Sequence, residues 1–355
     1  MLSRKHVSIL FLLVVTVFSS SVFVFAQDAA EIPAPFANPD QPIEIALVRF
    51  IGDGAFMSRY LAGAEAQAAE LGIELTEYNA RNDQAQFVTL LEQAIQSEPD
   101  AIIISHGTTD TVQPYIDQAE AAGIPVVTFD TVVNSNTVPE IEQDDLAIGF
   151  DLTRYVAIEY GGNANILYLN IAGFPPLDKR DRSYQNFLWR YPNFQQVAQV
   201  GVYVEGGTAA ETQTRVEAAL TENADVNVVI AMWDELAKGA VRAIQGLGLE
   251  DQIEVYSVDI SDENIQIMRE ENSPWAATIA TDAYSTARVA VRAAVGRIAG
   301  EDVPKYLLVE PTLITREFVL ENNVTNMDEL VAALPALGES PLAQYDWLAA
   351  LAAGQ

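Results

Sequence analysis

Three charged residues of this 355-residue chain stand where predicted elements meet and could hold a small molecule. Asp130 and Asp259 each come directly after a run rich in β-branched residues, and Arg180 lies in a charged run at the start of a predicted helix. Phe56 and Trp233 also lie close after such runs. Carboxylates accept hydrogen bonds from hydroxyls, a guanidinium donates through a planar fork, and aromatic faces cover apolar C–H surfaces. This mixture suits a polyhydroxylated ring, so we expect these five residues to bind a sugar.

Four further residues lie at or after the ends of predicted strands. Asp53 is in the turn after the first strand, Ser105 and His106 are at the end of the third, and Thr281 follows the strand that begins at residue 275. Ligands of open parallel sheets bind beyond the carboxyl ends of the strands. We therefore include all four residues as candidate ligand contacts.

Each candidate also fits a purely structural role. Aspartates at strand ends commonly cap helices or accept hydrogen bonds in loops, and large aromatic residues such as Phe56 and Trp233 often pack in a core. Arg182 competes with Arg180, because both belong to the same charged run. The sequence favours binding, since aspartates occupy corresponding strand ends in both halves of the chain.

The elements that must position these residues form a first series of alternating strands and helices. Short runs dominated by β-branched residues predict buried strands at 43–48, 73–78, 101–105 and 125–129. Apolar residues at helical spacing predict helices at 56–71, 84–97 and 112–122. Repeated strand–helix–strand units of this kind predict a parallel sheet with helices on both faces.

The same pattern restarts after a gap and predicts a second lobe. Its strands are expected at 165–170, 199–204, 227–231, 253–258 and 275–280, and its helices at 181–191, 209–222, 235–246 and 262–271. A helix at 283–299 and two short strands at 306–309 and 313–315 follow, and the tail from 327 to 351 reads as two short helices. The fold class is therefore α/β, with two doubly wound parallel-sheet lobes.

The N-terminal 26 residues have the pattern of a Sec-type signal peptide. Arg4 and Lys5 precede an apolar run at 7–18, and Ala26 ends a small-residue cleavage pattern before Gln27. An uncleaved membrane anchor is the alternative, but serines at 19–21 interrupt the apolar run, which should be about 20 residues long. We expect a periplasmic or extracellular protein, in which residues 27–42 form a linker rich in proline, alanine and acidic residues.

Charge and composition exclude several classes of function. The net charge is −31, and removal of the first 26 residues leaves 17 basic against 50 acidic residues. A surface this acidic repels nucleic acid and anionic lipid headgroups. The chain contains no cysteine, which excludes disulfides and a lipid-modified cysteine.

The main alternative class is an enzyme, because two strand-end carboxylates could serve as an acid and base pair for glycoside chemistry. Only one histidine remains beyond residue 26, and the chain has no cysteine, no Gly-x-Ser-x-Gly turn and no phosphate-binding glycine loop. No spacing of histidine, cysteine or acidic residues indicates a metal site. We expect no catalytic activity, no cofactor and no metal.

An ordered set of landmarks resembles the periplasmic ribose- and galactose-type sugar-binding proteins. The set comprises residues 45–63, 125–130, 180–192, 229–240 with Asp234, and 275–281, and the resemblance covers about residues 43–318. No single motif is decisive, but the order of the set is specific. Two departures put ribose itself in doubt as the ligand: Trp233 stands where the family usually has asparagine, and Thr281 stands where it often has glutamine.

The resemblance implies two lobes joined by three crossover strands near Gln143, Thr281 and Glu310, with a sugar enclosed between the lobes. The first lobe would then comprise 43–143 plus 282–310, the second lobe 144–281 plus 311–320, and a helical tail 321–355. It also implies closure of the lobes on the ligand, delivery to an ABC-type permease in the membrane and a monomeric protein. An exported sensor that passes a sugar signal to a membrane receptor is the alternative, whereas the signal peptide and the lack of a DNA-binding headpiece argue against a repressor domain.

Overall fold

A computed structural model describes residues 31–38, 41–52, 54–204 and 206–354. The signal peptide predicted for residues 1–26 lies outside the described residues, as does Asp53. None of the helices in the described part of the chain is both long and apolar enough to span a bilayer.

The first half of the chain alternates strands with helices, as the sequence predicts. In order, the elements are β1 (Glu44–Arg49), α1 (Ala55–Glu70), β2 (Glu74–Asn79), α2 (Gln84–Gln96), β3 (Ala101–Ser105), α3 (Thr109–Ala121), β4 (Val126–Phe129) and β5 (Glu140–Glu142). The strand β5 falls in the gap of the predicted pattern. Its three residues are all buried, because β4 and a later strand flank it on both sides.

The second half repeats the pattern, beginning with the helix α4, which the sequence pattern does not predict. Its elements are α4 (Asp145–Glu159), β6 (Ala164–Leu169), α5 (Pro175–Arg190), β7 (Phe194–Val200), α6 (Thr208–Glu222), β8 (Val228–Ala231), α7 (Asp234–Leu247), β9 (Glu254–Val258), α8 (Asp262–Arg269) and β10 (Trp275–Ala280). The chain then continues through α9 (Ala283–Ala299), β11 (Tyr306–Leu308), β12 (Thr312–Thr315), α10 (Arg316–Glu321), α11 (Met327–Ala333) and α12 (Leu348–Ala353).

Two six-stranded sheets organise these elements. The first has the order β11-β5-β4-β3-β1-β2 and is parallel throughout. The second has the order β12-β10-β9-β8-β6-β7, in which only β12 is antiparallel to its neighbour. Apolar cores lie on both faces of each sheet. The predicted class, two doubly wound α/β lobes, is confirmed.

The chain passes between the sheets three times. It leaves the first sheet between β5 and α4, returns between β10 and α9, and passes again between β11 and β12. The connections contact one another, since Thr281 donates to Gln143 and the Val309 N–H donates to the Glu142 carbonyl.

The C-terminal tail, for which the sequence predicts two short helices but no position in the fold, contributes to both lobes. Met327, Leu330 and Leu337 pack in the core of the second lobe, whereas Trp347 and Leu351 pack in that of the first. The Trp347 ring also lies against Phe36 near the N-terminus, with ring centroids 5.2 Å apart.

Candidate functional site

A cavity of about 320 Å³ lies between the lobes, at the carboxyl ends of both sheets. This size is within the range of small-molecule sites. Its lining combines charged and polar side chains with apolar ones, namely Asp130, Gln143, Arg180, Asp234 and Asp259 with Phe56, Phe174, Tyr203 and Trp233 among others.

Arg180, on α5, is the charged centre of the cavity and is only 2% exposed. Its Nε donates to Asp145 Oδ1 at 2.8 Å, and its Nη1 donates to the Met232 carbonyl at 2.7 Å and to Asp259 Oδ2 at 3.4 Å. Gly149 lets α4 approach this point, since a Cβ there would be 2.8 Å from the Arg180 Cα. Arg182, the competing candidate, is exposed and does not line the cavity.

Asp130 is the carboxylate of the first lobe, and a left-handed backbone with φ 48° turns it out of β4. Its Oδ2 accepts from Gln143 Nε2 at 3.2 Å, whereas its buried Oδ1 has no hydrogen-bond partner among the described residues. Burial raises the pKa of Asp130 well above its usual range, and the charge of Asp145 adds to the rise while that of Arg180 opposes it.

Asp259 is the corresponding carboxylate of the second lobe. It also has a left-handed backbone, with φ 71°, and its Oδ1 is buried without a partner in the described structure. Burial raises the pKa of Asp259, against the opposing effect of Arg180. Two unpaired acceptors, one from each lobe, therefore line a cavity whose ligand would have to supply hydrogen-bond donors.

His106 lines the cavity beside Asp130, with its Nε2 3.7 Å from Asp130 Oδ2. Its Nδ1 lies 3.0 Å from the Ser105 hydroxyl, and the ring meets Phe129 edge-on. Burial, assisted by the charges of Arg49 and Arg180, lowers the pKa of His106 to about 3. The imidazole is therefore neutral near pH 7 and acts as a hydrogen-bonding group rather than as a charge.

Two predicted contacts lie one layer behind the cavity instead of in its lining. Ser105 is fully buried beneath His106, and Thr281 donates from Oγ1 to Gln143 Oε1 at 2.9 Å. His106 and Gln143, which these two side chains contact, line the cavity in their place, and a direct contact of Ser105 or Thr281 with a ligand stays a prediction.

Three aromatic side chains of the second lobe form a continuous wall. Phe174 and Tyr203 have ring centroids 5.7 Å apart, and Tyr203 and Trp233 are stacked at 6.4 Å. Phe56, in the first turn of α1, faces the cavity from the first lobe and stacks on Phe129 with an interplanar angle of 8°. Phe56 and Trp233 are partly buried, so each contacts both a core and the cavity.

Several residues that line or support the cavity are not among the predicted contacts, including Gln143, Asp145, Phe174, Tyr203 and Asp234. The strand that the sequence predicts at 199–204 includes Tyr203, whereas β7 ends at Val200 and leaves Tyr203 in the loop after it. In the sequence, Asp234 belongs to the landmark run at 229–240 and is not a predicted ligand contact. It lines the cavity, and burial together with the nearby Asp259 raises its pKa to about 8.

The family model of the periplasmic binding protein domain matches residues 45–302, which is well over half of the chain. This chain belongs to that family. The binding protein is 53% identical to a solute-binding protein of a 5-methylthioribose transporter from Thermotoga lettingae, solved in complex with 5-methylthioribose. That similarity covers 92% of this chain and 100% of the other, with a TM-score of 0.86.

Two other relatives agree with this assignment. A sugar ABC transporter protein from Yersinia enterocolitica is 29% identical, with a TM-score of 0.86 over 92% of this chain and 99% of that one. A ribose import binding protein from Haemophilus influenzae is 24% identical over 76% of this chain and 91% of its own length. The binding protein is thus a solute-binding protein of the sugar-import type, and these relatives support transport over the sensor alternative.

Proposed function

We propose that the binding protein captures a pentose that carries an apolar substituent, with 5-methylthioribose as the model ligand. The observation that carries this proposal is the division of one cavity into two chemical parts. Asp130, Arg180 and Asp259 offer acceptors and a donor for hydroxyls, whereas the wall of Phe174, Tyr203 and Trp233 offers apolar area that ribose alone would not cover. The ligand of the 53% identical relative has both parts.

The lobes then close around this ligand, and the closed protein delivers it to an ABC permease. Residues 43–143 with 282–310 and residues 144–281 with 311–320 move as the two lobes in this proposal. The protein acts as a monomer and binds its ligand without converting it. Its net charge of −31 repels nucleic acid.

Calorimetry with 5-methylthioribose and ribose tests the proposed ligand class. Burial of a methylthio group is worth about 1.5 to 3 kcal/mol, so 5-methylthioribose should bind about 10- to 100-fold more tightly than ribose. Equal affinity for the two, or a preference for ribose, would count against the aromatic wall as a substituent site. Failure of both sugars to bind would reject the proposal.

Trp233→Ala tests the wall itself. The variant should weaken binding of 5-methylthioribose by about tenfold or more and ribose by less, because the lost indole face covers the substituent. Trp189→Ala is the matched control, since Trp189 is 86% exposed on α5 and lies outside the cavity. A large fall in the unfolding midpoint of Trp233→Ala, with the ratio of the two affinities unchanged, would assign Trp233 to core packing.

We also propose that the protein is exported and loses its first 26 residues. Intact-mass measurement of secreted protein should place the N-terminus at or within a few residues of Gln27. A mass that includes residues 1–26 would overturn this proposal.

A further inference from the structure

We propose that Gln143 and Asp145, on the first crossover, are positioning residues that hold Asp130 and Arg180 in register as the lobes close. This inference rests on the proposed function, because Asp130 and Arg180 are its ligand-binding pair. It assigns to the crossover a direct role in affinity, in addition to its role as a hinge.

Gln143 links Asp130, the proposed ligand-binding carboxylate of the first lobe, to the first two crossovers. The side chain is 3% exposed, and its amide nitrogen donates to Asp130 Oδ2 at 3.2 Å. Its amide oxygen accepts from Thr281, which lies on the second crossover, at 2.9 Å. One amide therefore fixes the orientation of Asp130 relative to two segments that must rotate when the lobes move.

Asp145 performs the corresponding task in the second lobe. It is buried, and its Oδ1 accepts from Arg180 Nε at 2.8 Å. The crossover contacts α5 a second time through Glu142, whose Oε1 pairs with Lys179 Nζ at 2.5 Å. The position of Arg180 is thus tied to the same four-residue segment that holds Asp130.

Asp144 separates the two positioning residues with a left-handed backbone, at φ 48° and ψ 58°. Aspartate is one of the few residues other than glycine that adopts this conformation readily. Its side chain also accepts from Ala147 N at 3.1 Å and caps α4. The turn at Asp144 places Gln143 against the first lobe and Asp145 against the second.

A ligand that binds both Asp130 and Arg180 therefore connects two residues that the first crossover already links, Asp130 through Gln143 and Arg180 through Asp145. Rotation at 143–145 changes the distance between Asp130 and Arg180, and the ligand stabilises the arrangement in which it contacts both residues. A change that loosens Gln143 should reduce affinity even when it touches no ligand atom.

Thr281→Val tests this step with a nearly isosteric change outside the cavity lining. Loss of the hydroxyl leaves Gln143 Oε1 without this partner and the amide held only through Asp130, so the Kd for 5-methylthioribose should rise about 5- to 10-fold. Thr153→Val is the matched control, because Thr153 is equally buried but donates only to the Gly149 carbonyl within α4. The control should keep the wild-type Kd.

The affinities of Gln143→Glu and Gln143→Met for the ligand, measured from pH 5 to 8, test the positioning role. If Gln143 had a purely structural role, the two variants would not differ in their dependence on pH. At pH 8 a carboxylate at 143 faces the carboxylate of Asp130, and this like-charge contact should weaken binding by Gln143→Glu about 100-fold relative to wild type. At pH 5 its protonated form can donate as the amide does, and affinity should recover in large part. Gln143→Met, which has no donor, should bind weakly at every pH. Wild type in the same series is the reference, since other groups face this pair: Tyr60, His106, Glu142, Asp145 and Arg180.

The outcomes separate this inference from the proposed function. A wild-type protein that binds neither 5-methylthioribose nor ribose would overturn both. A wild type that binds, while Thr281→Val and Gln143→Met keep its Kd, would overturn the positioning role alone. A pH profile of Gln143→Glu parallel to that of Gln143→Met would also reject it.

Discussion

Arg180→Ala should remove most ligand affinity and destabilise the protein at neutral pH. Arg180 faces Asp130, Asp145 and Asp259 in a buried cluster, so its loss leaves these carboxylates without their cation. Breaking a buried charge-assisted contact to the ligand costs roughly 2 to 5 kcal/mol of binding free energy. Removing one partner of a buried pair costs about 3 to 5 kcal/mol of unfolding free energy.

The pH dependence of this defect has a definite sign. Burial already raises the pKa of Asp130 and Asp259 in the folded protein, and Arg180 opposes that rise. Without Arg180 the pKa of both carboxyls in the folded protein rises further. A carboxyl whose pKa is higher in the folded than in the unfolded protein lowers the free energy of unfolding once the pH is high enough to ionise it. The loss of unfolding free energy should therefore be larger at pH 7.5 than at pH 5.

Calorimetry and urea unfolding at the two pH values check this prediction. Arg182→Ala is the control, since Arg182 belongs to the same charged run but is exposed. Near-normal binding by Arg180→Ala, or a larger loss in Arg182→Ala, would show that the wrong arginine has been placed in the site.

Asp130→Asn should weaken binding and yet stabilise the empty protein. The amide cannot accept at both positions as a carboxylate can, so affinity for the sugar should fall by roughly 2 to 5 kcal/mol. The same substitution removes a buried charge whose Oδ1 has no partner in the described structure and whose pKa is raised. Binding sites often carry such a cost in stability.

The gain in stability should appear at high pH and vanish in acid. Wild type loses stability as pH rises through the raised folded pKa of Asp130, and the asparagine variant does not. The midpoint of thermal unfolding, measured without ligand from pH 4.5 to 8, should diverge between the two proteins as pH rises. Asp151→Asn, at an exposed position on α4, should track wild type throughout. An Asp130→Asn protein that is less stable at pH 8 but binds normally would contradict the assignment.

The sequence predicts the part of the site that follows from local patterns. Asp130, Trp233 and Asp259 come after strands with strongly apolar runs, and the carboxyl ends of parallel strands meet at one edge of a sheet. The two lobes were predictable for the same reason. These side chains therefore reach the cavity whatever the details of the loops.

The supporting residues depend on contacts that no local pattern records. Gln143 and Asp145 follow β5, whose Glu-Ile-Glu sequence resembles a loop and becomes a strand only between β4 and the distant β11. The sequence does not predict the position of Tyr203 because β7 lies at the edge of its sheet. Its residues alternate irregularly between buried and exposed, so the pattern does not mark where the strand ends. The hydrogen bond between Thr281 and Gln143 joins two crossovers 138 residues apart.

The contact between Phe36 and Trp347 brings the first and the last described segments of the chain together on the first lobe. Chain ends that lie this close can be joined by a short peptide, and new ends can be opened elsewhere on the surface. A fluorescent reporter inserted at an opening on the second lobe would then move with that lobe, while the joined ends stay with the first. The architecture is therefore suited to a circularly permuted sugar sensor, in which closure is read as light.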